Sequence, residues 1–137
     1  MARDPLTVEV VSADRQVWEG RAVNIVARTV EGDIGILPGH EPLLAMLVPS
    51  VVEIVTADGR SELLAIDGGF LSVANDHVWV LSQDAISAQE VTLEEAHREL
   101  AELNSLVNAG QADEQQMHDY RRLQAQVRAA ERQRDIR

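Results

Sequence analysis

Up to about residue 87 the apolar residues of this chain come in short β-branched runs cut by turn formers, and from Thr92 onward they recur every three or four positions. The first pattern is that of strands. Val8 and Val10 are separated from Val17 and Trp18 by a Ser-Ala-Asp-Arg turn, and Val23, Ile25 and Val26 follow. Val51, Val52, Ile54 and Val55 lead into Asp58-Gly59; Leu63 to Ile66 and Phe70 to Val73 precede Asn75-Asp76; Val78 to Leu81 closes the set. Asp58-Gly59 is the strongest hairpin signal, because a type I′ turn needs positive φ at both central residues. Roughly eight to ten strands fit the span, which predicts an antiparallel β-sandwich or flattened barrel.

In the second region Leu93, Ala96, Leu100, Leu103 and Val107 lie on one helical face. Thr92 with Glu95 forms a capping-box signature at its start, and Asn108-Ala109-Gly110 supplies the stop. Asp113 with Gln116 repeats the capping signature and predicts a second helix to about Arg134, with Met117, Tyr120, Leu123 or Gln124, Val127 and Ala130 as its apolar face. Two helices joined this closely are antiparallel neighbours. The fold class is therefore α+β: a β-sandwich over residues 1–87 and a two-helix hairpin over residues 88–137.

Charge sharpens the division. The chain of 137 residues carries a formal charge of −11, and its 12 basic residues are all arginine. Residues 1–112 hold 18 acidic and 6 basic side chains, whereas residues 113–137 hold 5 and 6. Such an acidic chain is repelled by nucleic acid and anionic lipid. Arg121, Arg128 and Arg132 share one face of the second helix, with Arg122 beside them. They read either as a solvated face paired with Glu131 and Asp135 or as a stripe that meets an acidic partner.

Catalytic constellations are missing. Without lysine no Walker phosphate loop is possible; there is no Gly-x-Ser-x-Gly elbow, and His40-Glu41 lacks a second histidine because residue 44 is leucine. Gly68-Gly69 reads as a bulge or tight joint, since no dinucleotide fingerprint surrounds it. With no cysteine, disulfides and thiolate sites are excluded, and no cofactor or metal site is expected. The longest apolar run, Leu43 to Val48, is far short of the ~20 residues a spanning helix needs. Met1 to Leu6 shows no signal or transit pattern, so the chain is expected to stay where it is made.

Residues 32–47, G-D-I-G-I-L-P-G-H-E-P-L-L-A-M-L, combine with A-I-D-G-G-F-L-S-V at residues 65–73 and V-W-V-L-S at residues 78–82. In these segments and in its sandwich-then-hairpin layout, nearly the whole chain resembles the epsilon subunit of the bacterial F-type ATP synthase. The resemblance implies a non-catalytic rotor subunit, peripheral at the cytoplasmic face of the cell membrane. It implies a sandwich that binds the gamma subunit and rests on the c ring, and a hairpin that restrains ATP hydrolysis by reaching the alpha and beta subunits. By position, Glu31, Asp33 and His40 are the candidates for the gamma and c-ring face, and the arginine stripe is the candidate for the catalytic subunits. Some members bind ATP through an I/L-D-x-x-R-A motif. The matching positions here are Val91-Thr92-Leu93-Glu94-Glu95-Ala96, with glutamate in place of the arginine, so ATP binding is expected to be weak or absent. The alternatives from other classes are a free-standing sandwich adaptor that recognises a partner through its hairpin, and a small hydrolase using His40, Asp33 and Glu41.

Overall fold

A computed structural model of the chain describes residues 4–136. Seven strands, β1 (Leu6–Val11), β2 (Gln16–Thr29), β3 (Gly32–Ile36), β4 (Leu43–Thr56), β5 (Ser61–Ala74), β6 (His77–Leu81) and β7 (Ala85–Ser87), precede a 3₁₀ turn at Ala88–Glu90. Helices α1 (Leu93–Asn108) and α2 (Glu114–Ile136) follow. The strands run in the order β1-β6-β5-β4-β2-β3, with β7 on β5, and β1 also pairs with β2, which closes the sheet into a flattened barrel. The pairing is antiparallel except between β1 and β6.

The strands number seven, fewer than the run count suggested, because β2, β4 and β5 are each 14 residues long and serve both layers. In β5, Leu64 and Ile66 point into the core before Gly68-Gly69, and Leu71 and Val73 do so after it, so the inward parity changes at the glycines. β4 makes the matching change between Leu47 and Ser50, around Pro49. The residues that read as breaks are the corners of continuous strands. At Gly69 φ is +111°, and an added Cβ would lie 1.9 Å from the Leu81 carbonyl oxygen. Only glycine fits there.

The Asp58-Gly59 hairpin forms, with a different turn from the one expected. Of these two residues only Gly59 has positive φ; its N–H donates to the Thr56 carbonyl, and the Thr56 N–H donates to the Arg60 carbonyl. That is a type I turn closed by a glycine bulge. The two-residue loop with positive φ at both positions is Asn75 (52°) and Asp76 (60°), between β5 and β6.

α1 begins after Thr92 as predicted, but the threonine hydroxyl makes no capping bond. It ends in a Schellman motif at Gly110, where Gln111 N–H reaches the Leu106 carbonyl and Gly110 N–H the Val107 carbonyl. The second capping box is complete: Gln116 N–H donates to Asp113 Oδ1 at 2.7 Å, and Asp113 N–H to Gln116 Oε1 at 3.0 Å. α2 is the middle layer. Leu123 and Val127 pack with Leu93, Ala96, Leu100 and Leu103 of α1, while Ala125 and Ala129 pack on Leu63, Ala65 and Ala88 of the sandwich. This second buried stripe escaped the periodicity because alanine carries little hydropathy. It ends at the buried Gln133, whose Oε1 accepts from Leu63 N–H. Among the described residues no helix is long and apolar enough to cross a membrane.

Candidate partner-binding surfaces

The most unusual surface lies on the outer side of β4, β5 and β6. Met46, Phe70 and Leu81 are direct cross-strand neighbours on one face, and Leu44 stands two residues along from Met46, 72% exposed. Met46, Phe70 and Leu81 are about half exposed. Scattered apolar residues are normal on a surface, but contiguous large ones across three strands mark an interaction site. Trp79 extends the patch beside Ser72 and stacks on His77 at 3.7 Å, with His77 Nε2 bonded to Glu9 at 2.6 Å. Sequence reasoning missed this patch. Leu43 to Val48 is apolar at consecutive positions, so no alternation in the sequence tells the open face from the buried one.

The three loop residues singled out by resemblance do not form one cluster. Glu31 sits exposed in the turn before β3, its N–H donating to the Thr29 hydroxyl at 3.0 Å. His40 lies beyond the other end of β3, its Nδ1 bonded to the Glu41 carbonyl at 2.7 Å. Its loop is tied to the Asn75-Asp76 turn by Gly39 N–H donating to Asp76 Oδ1 at 2.7 Å, beside the exposed Leu37. Asp33 pairs with Arg28 at 2.8 Å, a bond that holds its carboxyl below the ordinary aspartate range. It faces a small cavity lined also by Arg128 and Arg132 of α2. The hydrolase reading loses its geometry, since His40 and Asp33 engage different partners at opposite ends of a strand.

The arginine stripe meets acidic residues of the sandwich. Arg132 reaches Glu53 at 3.3 Å and Arg122 reaches Asp84 at 3.5 Å, while Arg128 lines the cavity with Asp33. Arg121 is exposed. Glu131, expected beside the arginines, lies 3.6 Å from His97 of α1. A further polar tie was invisible in sequence, because its members are 51 residues apart: His118 Nε2 of α2 lies 3.0 Å from Asp67 Oδ2 of β5. Burial pushes the Asp67 carboxyl up, but bonds from His118, the Asp84 N–H and the Ser82 hydroxyl outweigh it and leave the group below its ordinary value. The docked hairpin is thus held by a thin layer of alanines and a set of polar ties.

Comparison with known proteins agrees with this architecture. Residues 5–88 match the family described as the β-sandwich domain of the ATP synthase delta/epsilon chain. The ATP synthase epsilon chain of Cutibacterium acnes is 44% identical, over 95% of this chain and 94% of its own. That of Streptomyces coelicolor is 39% identical, over 91% and 94%. Among solved structures, a chain of the Euglena gracilis mitochondrial ATP synthase (OSCP/F1/c-ring) superposes with a TM-score of 0.71 at 21% identity, covering 99% of this chain and 83% of that one. That likeness is one of fold.

Proposed function

Since the chain belongs to the ATP synthase epsilon-chain family, whose members are non-catalytic subunits of the complex, we propose that it is a rotor subunit whose sandwich binds gamma and the c ring. The hairpin acts as a brake on ATP hydrolysis. The observation that carries the first half is the exposed face of Leu44, Met46, Phe70 and Leu81. A rigid apolar surface of this kind docks with little conformational entropy lost, and gamma is the partner assigned to it. The loop tip of Leu37 and His40 is assigned to the c ring, with the subunit held peripherally at the cytoplasmic face of the membrane.

Phe70→Glu puts a charge at the centre of that face. It is expected to weaken binding to gamma about thirtyfold, the effect of losing a central interface anchor. Isothermal titration against gamma measures it, and unchanged affinity would remove the face from the interface.

The brake requires a hairpin that can leave the sandwich. Four of the buried side chains at the α2 dock, Ala65, Ala88, Ala125 and Ala129, are alanines. At ~0.8 kcal/mol per buried carbon they contribute ~3 kcal/mol, and the buried Leu63 adds ~2 kcal/mol, the same order as the ~5.5 kcal/mol that moves a two-state equilibrium from 1:99 to 99:1. Arg122 and Arg132 of the stripe are then partnered twice: by Asp84 and Glu53 when docked, and by carboxylates of the catalytic subunits when extended.

ATP is not proposed as the effector. The cavity at the start of α1 is lined by Glu90, Glu95 and Glu99, three carboxylates where a triphosphate would need cations. Titration of the isolated chain with ATP is expected to show no micromolar binding; a micromolar Kd would reverse this assignment.

A further inference from the structure

Asp67 stands where the apolar outer face, α2 and the bend of β5 meet. Its Oδ1 accepts from the Ser82 hydroxyl at 2.8 Å and the Asp84 N–H at 3.0 Å, so the sandwich itself orients the carboxylate. Its Oδ2 takes the bond from His118 of α2. The Asp67 side chain is only 8% exposed, and that of His118 is 42% exposed. Beside the pair runs a groove of about 510 Å³, its apolar wall formed by Val11, Ala13, Phe70 and Leu81 and its polar side by Gln83 and His118. Phe70 and Leu81 belong to the exposed face, so the groove leads from that face to the carboxylate.

Release of the hairpin changes the two oxygens unequally. Oδ1 keeps both of its donors, whereas Oδ2 loses its partner and is left uncovered, oriented and open to a new cation. Arg122, the guanidinium at Asp84, is on the same helix and leaves with it. The sandwich left behind, residues 1–87, holds 13 acidic against 5 basic side chains, a field that draws positive charge from outside. A preoriented carboxylate at the end of an apolar groove suits the end of a long basic side chain, whose aliphatic stem lies along the walls.

We propose that Asp67 is an exchange site, held by His118 in the docked hairpin and by an arginine or lysine of the partner covering Phe70 and Leu81 once α2 departs. The proposal rests on the gamma reading above. It makes hairpin docking and full engagement of gamma mutually opposed, so that the tighter stalk contact favours the released hairpin.

The test uses the full chain against gamma, with affinity read by titration. The chain contains no cysteine, so cysteines introduced at Ala57 and Arg134 can carry a fluorophore pair that reports the hairpin. His118→Ala, which removes the competitor, is expected to tighten gamma binding about fivefold and shift the pair toward the released distance. Asp67→Asn is expected to weaken binding about tenfold or more, and the double variant to match Asp67→Asn alone, because the competitor matters only when the carboxylate is present. If Phe70→Glu weakens binding while His118→Ala and Asp67→Asn leave it unchanged, the exchange site is wrong and the gamma face stands. If the wild-type chain shows no affinity for gamma, both are overturned.

Discussion

Gly69→Ala is expected to be the most damaging single methyl that can be added to this protein, costing more than about 4 kcal/mol of stability. Two effects coincide at this residue. Its φ of +111° lies where an L side chain is strained, worth roughly 1–3 kcal/mol. The new Cβ would also fall 1.9 Å from the Leu81 carbonyl oxygen and 2.9 Å from Ser82 Cα, backbone atoms with no rotamer through which to move aside. Gly32 provides the control, because its φ is +121° while nothing lies within 4 Å of its added Cβ. Gly32→Ala should cost the strain alone. Urea unfolding followed by circular dichroism separates the two, and equal midpoints would show that the β5–β6 crossing can open to admit a methyl. Loss of this crossing would also disturb Phe70 and Leu81, so the same variant is expected to lose gamma binding.

Truncation after Ala88 is expected to raise ATP hydrolysis by the reassembled complex about tenfold, corresponding to ~1.4 kcal/mol of restraint removed. β7 is retained in the shortened chain, and with it the pairing of Ala65 with Ile86 on β5. The interior cluster of Val8, Ile25, Val52, Ile54 and Leu71 takes no residue from the helices, so the sandwich keeps its own core. What is uncovered is Leu63, Ala65, Ala88, Val51 and Ile86, a patch small enough to leave assembly intact. A complex that incorporates the truncated chain yet hydrolyses ATP at the original rate would remove the brake from the account and leave the coupling role untouched.

Part of the site is legible in the amino-acid sequence and part is not. His40 and Asp33 could be found by resemblance, but their different surroundings could not: the pairing of Asp33 with Arg28 depends on the β2–β3 register, and its facing of Arg128 depends on where α2 lands. The arginine stripe was visible as a helical period, while its partners Glu53 and Asp84 lie 79 and 38 positions away from Arg132 and Arg122 in the chain. The exposure of Leu44 and Met46 could not be read at all, because an unbroken apolar run carries no alternation to say which face is open.

Local physics, by itself, determined the apolar strand runs, the two helices, the capping box of α2 and the Gly110 stop, since these rest on periodicity and on bonds between residues a few positions apart. It also determined that glycine was needed at Gly68-Gly69. Only the tertiary structure decided that those glycines turn one continuous strand rather than end it, that α2 buries a second, alanine face against β5, and that Asp67 meets His118. Each of these depends on closing long loops of chain, so the free energy that selects it comes from packing and pairing across the fold and leaves no periodic trace in sequence.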